Sequence, residues 1–368
     1  MIHAEETAIA TMPRGSIEYF VNDDPIGYSI KHYGGWAEAE IRLLNALVRE
    51  GDVVVDAGAN IGTHTLALAR RVGVTGRVIA FEPQAKVFEL LKRNLASNGI
   101  LHGEAIHAAL GSEPGEVAFD EPSYGAHTNI GAVCMRAATG SGEGRLVRME
   151  TIDGRELEAC RLLKIDAEGM GAAVIAGGVD TIKRARPVVF VECDSDGEAA
   201  DILAAMPRDG YVLFVVRTAA FDEQNHKRNQ DNVFGLAHET GLLFLPEVDA
   251  MAPPTDLPGV TLIRCHTLDD VAEALRTTPR YGDRTSHDRD PLALRKALED
   301  LEAQNRDDIA RLSFRIASLE WQLRQAEYGT TPSVALLEER IRAMEGSTSW
   351  RITAPVRALK LLLNRRRR

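Results

Sequence analysis

Between about Asp52 and Pro246, short β-branched and apolar runs alternate with segments whose apolar residues recur every three or four positions. The short runs suit strands covered on both faces, and the longer period suits helices laid upon them. The predicted strands are Val53–Asp56, Arg77–Phe81, Glu104–Ala108, Leu162–Asp166, Val188–Cys193, Tyr211–Val215 and Leu242–Leu245. Helices are predicted over Thr63–Arg71 and over Lys86–Ser97, where Val87, Leu90, Leu91 and Leu95 form the stripe and Gly99 supplies the stop. Upstream, Trp36–Val48 aligns Ile41, Leu44 and Leu47; downstream come a strand-like run, Val260–Arg264, and a helix-like run, Leu268–Leu275. The alternation predicts an α/β domain built on a seven-stranded, doubly wound, largely parallel sheet.

Beyond that the pattern changes. Residues 277–290 hold Arg, Asp, Thr, Ser and Gly with hardly an apolar residue, as linkers do. Then Leu294, Leu298, Leu301, Asn305, Ile309, Leu312, Ile316, Leu319, Leu323 and Ala326 advance in steps of four and three, with a doubled four around Asn305. That is a coiled-coil seam with a stutter and a polar register residue, and it predicts a homo-oligomer; an amphipathic helix folded back on the domain is the alternative. The divisions are an N-terminal segment with its helix (1–50), the α/β domain (51–250), its extension (251–276), a linker (277–291), a coiled coil (292–328), and a short helix with a basic amphipathic tail (332–368).

Composition adds little, because 45% hydrophobic and 26% charged residues in 368 describe an ordinary folded chain. Charge adds more. The net −11 splits into seven basic and no acidic residues from Ser347 to Arg368, and −18 over the rest, where 36 basic residues face 54 acidic ones. An acidic body repels nucleic acid, so no nucleic-acid partner is expected. Cys134, Cys160, Cys193 and Cys265 show no paired spacing and read as reduced thiols. Met1–Arg14 lacks the apolar run of a signal peptide, so the expected location is cytoplasmic.

The chemistry concentrates in Val53-Val54-Val55-Asp56-Ala57-Gly58-Ala59-Asn60-Ile61-Gly62, a strand that enters a glycine-bearing turn and then a helix. Such a turn holds a ligand at the carboxyl end of a strand. A dinucleotide turn would carry a middle glycine where this chain has Asn60, and Asp56 would repel a pyrophosphate. A cationic nucleoside such as S-adenosyl-L-methionine meets the requirement. Glu82, in Phe81-Glu82-Pro83, lies about 20 residues further on, where a carboxylate accepts ribose hydroxyls. The expected cofactor-binding residues are Asp56, Gly58, Asn60, Gly62, Glu82 and Ala109.

The strings Val55–Gly62 and Phe81-Glu82-Pro83, then Leu163-Lys164-Ile165-Asp166-Ala167-Glu168-Gly169 and Pro187–Glu192, resemble the FkbM-type family of S-adenosylmethionine-dependent methyltransferases. The resemblance covers roughly Tyr33 to Pro246, and Asn225–Gly235 is similar to an Asn-rich loop of some members. It implies a class I methyltransferase fold, Rossmann-like, moving a methyl group to a hydroxyl of a sugar or macrolide. One departure is Gly171, where the family often has Glu.

Transfer to an alcohol needs a close, aligned approach and a base for the proton. Asp166 and Glu168, at the end of the fourth strand, and Glu192, at the end of the fifth, are the catalytic candidates. The alternatives are a helix cap for Asp166 and an Arg partner for Glu192. His64 reads as packing, and His127 and His226 act only if their loops close over the site. No metal is expected, because no His or third carboxylate stands at tight spacing. The segment Ser347–Arg357 is similar to one near the termini of some bacterial polysaccharide glycosyltransferases. Trp350, Ile352, Val356, Leu359 and Leu361–Leu363 among cations describe an interfacial segment attracted to anionic membrane, with a solvated end as the alternative. The expectation is an O-methyltransferase acting on a glycan or lipid-linked saccharide, held at the inner membrane face. A small-metabolite or macrolide methyltransferase and a non-catalytic scaffold remain as alternatives.

Overall fold

Val54 and Val55 are neighbours on one strand, point to opposite faces, and are both buried to within 1%. That is the signature of a sheet covered on both sides. In this computed structural model, residues 6–119, 124, 129–131, 135–137 and 145–279 are described. A hairpin, β1 (Thr7–Met12) and β2 (Gly15–Phe20), leads through α1 (Ile26–Tyr33) and α2 (Glu38–Leu47) to β3 (Val53–Ala57). Next come α3 (Thr63–Val72), β4 (Arg77–Phe81), α4 (Ala85–Ser97) and β5 (Gly103–Ile106). A smaller sheet follows from β6 (Ala109–Leu110), β7 (Gly115–Phe119), β8 (Met135–Ala137) and β9 (Arg145–Glu150). The chain then forms β10 (Leu162–Ile165), α5 (Gly171–Ala176), α6 (Val179–Ala185), β11 (Val188–Glu192) and α7 (Asp196–Ala205). It ends with β12 (Tyr211–Ala219), β13 (His238–Pro246), α8 (Glu247–Ala250), β14 (Val260–Cys265) and α9 (Leu268–Arg276).

The main sheet runs β14-β12-β13-β11-β10-β3-β4-β5. All seven predicted strands are in it, but it has eight strands rather than seven. β12 continues past Val215 to Ala219 and offers an edge on which β14 pairs antiparallel, Val215 opposite Ile263. β5, β4, β3, β10 and β11 are parallel, whereas β13 lies antiparallel between β11 and β12. One core joins α2, α3, α4 and the hairpin to the face bearing Val54, Leu162 and Phe190. The other joins α5, α6, α7 and α9 to the face bearing Val55, Leu163 and Val191. β3 and β10 are adjacent, yet the chain leaves them in opposite directions across the sheet. This switch point opens a crevice at their carboxyl ends.

The hairpin and α1 within the N-terminal segment were not foreseen, and neither was the smaller sheet. The hairpin is bolted to α4: Asn94 accepts from the Glu18 amide at 2.7 Å and donates to its carbonyl at 2.9 Å, and Asn98 donates to the Ser16 carbonyl at 2.6 Å. At the other end, the chain is held past the predicted linker start at 277. Thr278 is buried, and the His238 amide donates to the Pro279 carbonyl. The predicted coiled coil and tail lie outside the described residues, as do His127 and Cys134. Cys160, Cys193 and Cys265 are free and buried. No described helix is long and apolar enough to cross a membrane.

The fit of β13 into the sheet depends on Gly241, where an added Cβ would lie 2.6 Å from the Phe190 ring and 2.9 Å from the Val191 carbonyl. Gly241→Ala is expected to cost about 1–3 kcal/mol by overpacking, read as a lowered urea midpoint.

Candidate active site

The turn after β3 is left-handed at alternate positions, with φ of 79° at Gly58, 50° at Asn60 and 96° at Gly62. Asn tolerates such a conformation when its short amide bonds locally, and here Asn60 Oδ1 accepts from the Ile61 amide. The predicted use of Gly58 was close approach of a ligand. The structure gives the space to protein instead: a Cβ there would stand 1.7 Å from the Asp166 carbonyl oxygen. Gly62 likewise makes room for Leu91 of α4. Asn94 donates to the Ile61 carbonyl at 2.8 Å, so the turn, α4 and the hairpin are one assembly.

Asp56 was expected to face a cationic ligand. Its side chain is wholly enclosed. Thr65 Oγ1 donates to Asp56 Oδ2 at 2.7 Å, and Lys164 Nζ stands 3.3 Å from Oδ1 as a charge contact without hydrogen-bond alignment. The pair arises from register, since Lys164 lies opposite Asp56 between β10 and β3. Removing one member of such a buried pair costs about 3–5 kcal/mol. The same ammonium donates to the Gly58 carbonyl at 3.3 Å and to Asp166 Oδ2 at 3.1 Å. Burial opposes its charge, but Asp166, Asp56 and Glu40 together raise its pKa above the ordinary lysine value. His64, read as packing, is buried with Nε2 3.1 Å from Glu40 Oε1 beneath this cluster.

Glu82 stands at the end of β4 as predicted, accepting the Asn60 amide at 2.9 Å and the Gln84 amide at 2.8 Å. Burial raises it and the two amides lower it, leaving a pKa of about 7. Above it, Gln84 donates to the Ile130 carbonyl at 3.0 Å and accepts from the Tyr124 hydroxyl at 3.2 Å, while Asp23 accepts the Ile130 amide at 3.1 Å. Ala109 is buried in β6 opposite Met149, a member of the smaller sheet rather than of the turn.

The three catalytic candidates come together. About a third of the Asp166 side chain is open to the crevice. Burial opposes its ionisation, but Lys164 and a hydrogen bond from Glu192 hold it at about 2. Burial, the charge of Asp166 and that same bond push Glu192 well above the carboxylate range. The two shifts run in opposite directions, so Asp166 gives up its proton before Glu192 does. Glu168 and Glu192 line a cavity of about 320 Å³ with Gly171, Asp194, Glu198 and Asp201. Burial first, then the charges of Asp166, Asp194 and Glu198, raise Glu168 to about 7. At Gly171, a Cβ would meet Val191 at 2.9 Å, so α5 lies close on β11 and its glycine walls the cavity. His226 is exposed, with its loop fastened to α1 through Lys227 and Tyr33. Lys164 was the residue missed, although a charge amid Leu162, Leu163 and Ile165 signals a buried partner.

A doubly wound α/β domain places its ligand crevice at the switch point, and here carboxylates line it. Within the domain, residues 56–213 match the family model described as the Methyltransferase FkbM domain. The chain is 29% identical over 168 residues to the hexuronic acid methyltransferase AglP of Haloferax volcanii, covering 44% of this chain and 64% of that one. It is 41% identical over 63 residues to the methyltransferase sdnD of Sordaria araneosa, covering 17% of this chain and 24% of that one. The chain thus spans less than two thirds of the length of either relative. A solved structure, the methyltransferase FkbM from Methylobacillus flagellatus, superposes with a TM-score of 0.36 at 17% identity, covering 59% of this chain and 51% of that one. The family model and both relatives carry the description methyltransferase, each over part of this chain.

The state of Glu82 makes a signed prediction. A carboxyl raised on folding contributes stability that is present below its unfolded value near 4.5 and lost as pH rises through about 7. Ionised Glu82 is the better partner for ribose hydroxyls and for a cation. From pH 5 to 8 the ligand-free melting temperature should fall, while calorimetric affinity for S-adenosylmethionine should rise. Glu82→Gln should bind more weakly at pH 8 and flatten the affinity profile.

Proposed function

We propose that the chain is an S-adenosylmethionine-dependent O-methyltransferase acting on a saccharide hydroxyl, with Glu168 as the base. The observation that carries this reading is the division of labour among three neighbouring carboxyls. Asp166 is held as an anion by Lys164 and is too weak a base; Glu192, pushed up by burial and by Asp166, holds its proton the more tightly of the two. Glu168, on the cavity wall and without a hydrogen bond of its own, has the pKa of about 7 that suits proton removal near neutrality.

The donor crevice suits the cofactor chemically. Glu82 keeps lone pairs for ribose hydroxyls beyond those used by the Asn60 and Gln84 amides, and Asp166 offers negative charge toward a cation. Lys164 is already engaged by Asp56 and Asp166, so its charge does not oppose a cationic ligand. When bound, S-adenosylmethionine supplies a methyl group activated by a sulfonium. The protein's part is to orient the acceptor hydroxyl and take its proton on Glu168.

The saccharide acceptor is supported by the named substrate of the Haloferax relative. The cavity narrows the class further. Its lining residues include Glu168, Glu192, Asp194, Glu198 and Asp201 and no Lys, Arg or His. Negative charge at that density disfavours a uronate and favours a neutral or amine-bearing sugar. The heptad pattern of residues 294–326 and the basic sequence of the tail support an oligomer presented to anionic membrane, the setting of a lipid-linked saccharide.

Methyl transfer to saccharide acceptors from labelled S-adenosylmethionine tests the reading. Glu168→Gln should lower kcat by about 10²–10⁴ with donor affinity kept, and the wild-type rate should rise with pH through about 7. Full activity in that variant, or no donor binding by the wild type, overturns it. For the tail, liposomes containing anionic lipid should float the full chain and lose it when residues 347–368 are removed.

A further inference from the structure

We propose that Lys164 is a positioning residue: its ammonium ties the donor turn to the acceptor-side carboxyls and decides which of Asp166 and Glu192 carries their shared proton. This rests on the donor and acceptor assignments proposed above, although the placement of the proton can be measured without them.

Geometry carries the argument. Lys164 is 1% exposed on a central strand, a place where a cation is costly unless fully satisfied. One carboxylate would neutralise it. It has two, Asp56 at 3.3 Å and Asp166 at 3.1 Å, together with the Gly58 carbonyl at 3.3 Å. The two carboxylates differ in kind. Asp56 is sealed and pinned by the Thr65 hydroxyl, so it anchors the ammonium from below. Asp166 is partly open to the crevice, so the ammonium delivers that fixed position to a working surface. Gly58 adds the donor turn to the same joint, since its missing Cβ is the space occupied by the Asp166 carbonyl.

The proton follows from the charge. Two carboxyls in contact cannot both ionise cheaply, and the one beside a cation ionises first. Lys164 touches Asp166 and not Glu192, so the proton stays on Glu192, whose carboxyl donates a hydrogen bond to the Asp166 carboxylate. The surrounding charges do not reverse this. Glu40 on α2 and Asp56 on β3 hold Lys164 cationic, His64 on α3 adds to the pull on Asp166, and Glu168 and Glu239 press on Glu192 from the side of β10 and β13. A lysine that served only to cancel Asp56 would leave the proton free to sit on either carboxyl.

The test uses the full chain and a charge-balanced variant, Lys164→Met with Asp56→Asn, because Lys164→Met alone leaves buried charge uncompensated. Carboxyl carbon NMR titration, assigned with Asp166→Asn and Glu192→Gln, reads the proton, and calorimetry with S-adenosylhomocysteine reads the donor turn. In the wild type, Glu192 should stay protonated through pH 7 with Asp166 ionised. In the balanced variant the Asp166 midpoint should rise by about two pH units or more, and affinity should fall at least tenfold while the thermal midpoint changes little; Lys164→Arg should restore the Asp166 midpoint in part. Unchanged titrations of Asp166 and Glu192 in the balanced variant overturn the proposal. So does a loss of affinity that merely tracks lost stability. A wild type that fails to bind S-adenosylhomocysteine but shows the shifted titration counts against the donor reading and for the placement of the proton.

Discussion

The ion pair between Asp56 and Lys164 is the constraint on which the rest of the site depends. It sits between the two central strands where the sheet changes direction, enclosed by α2 and α3. Replacing it with apolar residues of similar volume would serve stability as well or better, as buried pairs generally show. Its value lies in geometry. Because both ends of the pair are fixed, everything that touches the ammonium is fixed too: the Gly58 carbonyl of the glycine turn and the Asp166 carboxylate at the end of β10.

From that point the site sorts its acids by environment rather than by residue type. Asp166, Glu168 and Glu192 are three carboxyls within a short stretch of two adjacent strand ends. Contact with a cation lowers the first, burial and then contact with that anion raise the second, and partial burial among other carboxylates leaves the third near neutrality. Separate roles in acid-base chemistry require values pushed apart in this way. Burial and the crowding of negative charge also explain why Glu168 titrates so far above an isolated glutamate.

The sequence was most legible where information is local. Strand and helix positions followed from period and from turn residues, and the turn at Gly58 to Gly62 and the carboxylate at Glu82 were found where expected. Side-chain surroundings were not legible where they depend on pairing across the sheet. Asp56 and Gly58 were read as ligand-facing, but the register that sets Lys164 opposite Asp56 and brings Asp166 over Gly58 joins residues more than 100 positions apart. No local pattern encodes that. The eighth strand was visible as an apolar run at Val260 but not as a sheet member, since periodicity carries no strand order. The hairpin was overlooked because its alternation, Ala10 and Met12 then Ile17 and Tyr19, is short and broken by the turn.

The antiparallel seat of β13 bears on how the chain acquires its shape during synthesis. β11 and β12 are both made before β13, yet neither pairs with the other; each waits for His238–Pro246. Until Pro246 has emerged, the apolar run Val188–Val191 has an open edge, and so does the one from Leu213 to Val216. Open apolar edges recruit other strands. The stretch that matches the family model stops at residue 213, before this closure. The boundary that sequence similarity draws is therefore not a boundary at which the sheet can be finished, since β13, made after both of its neighbours, is the strand that seals the middle.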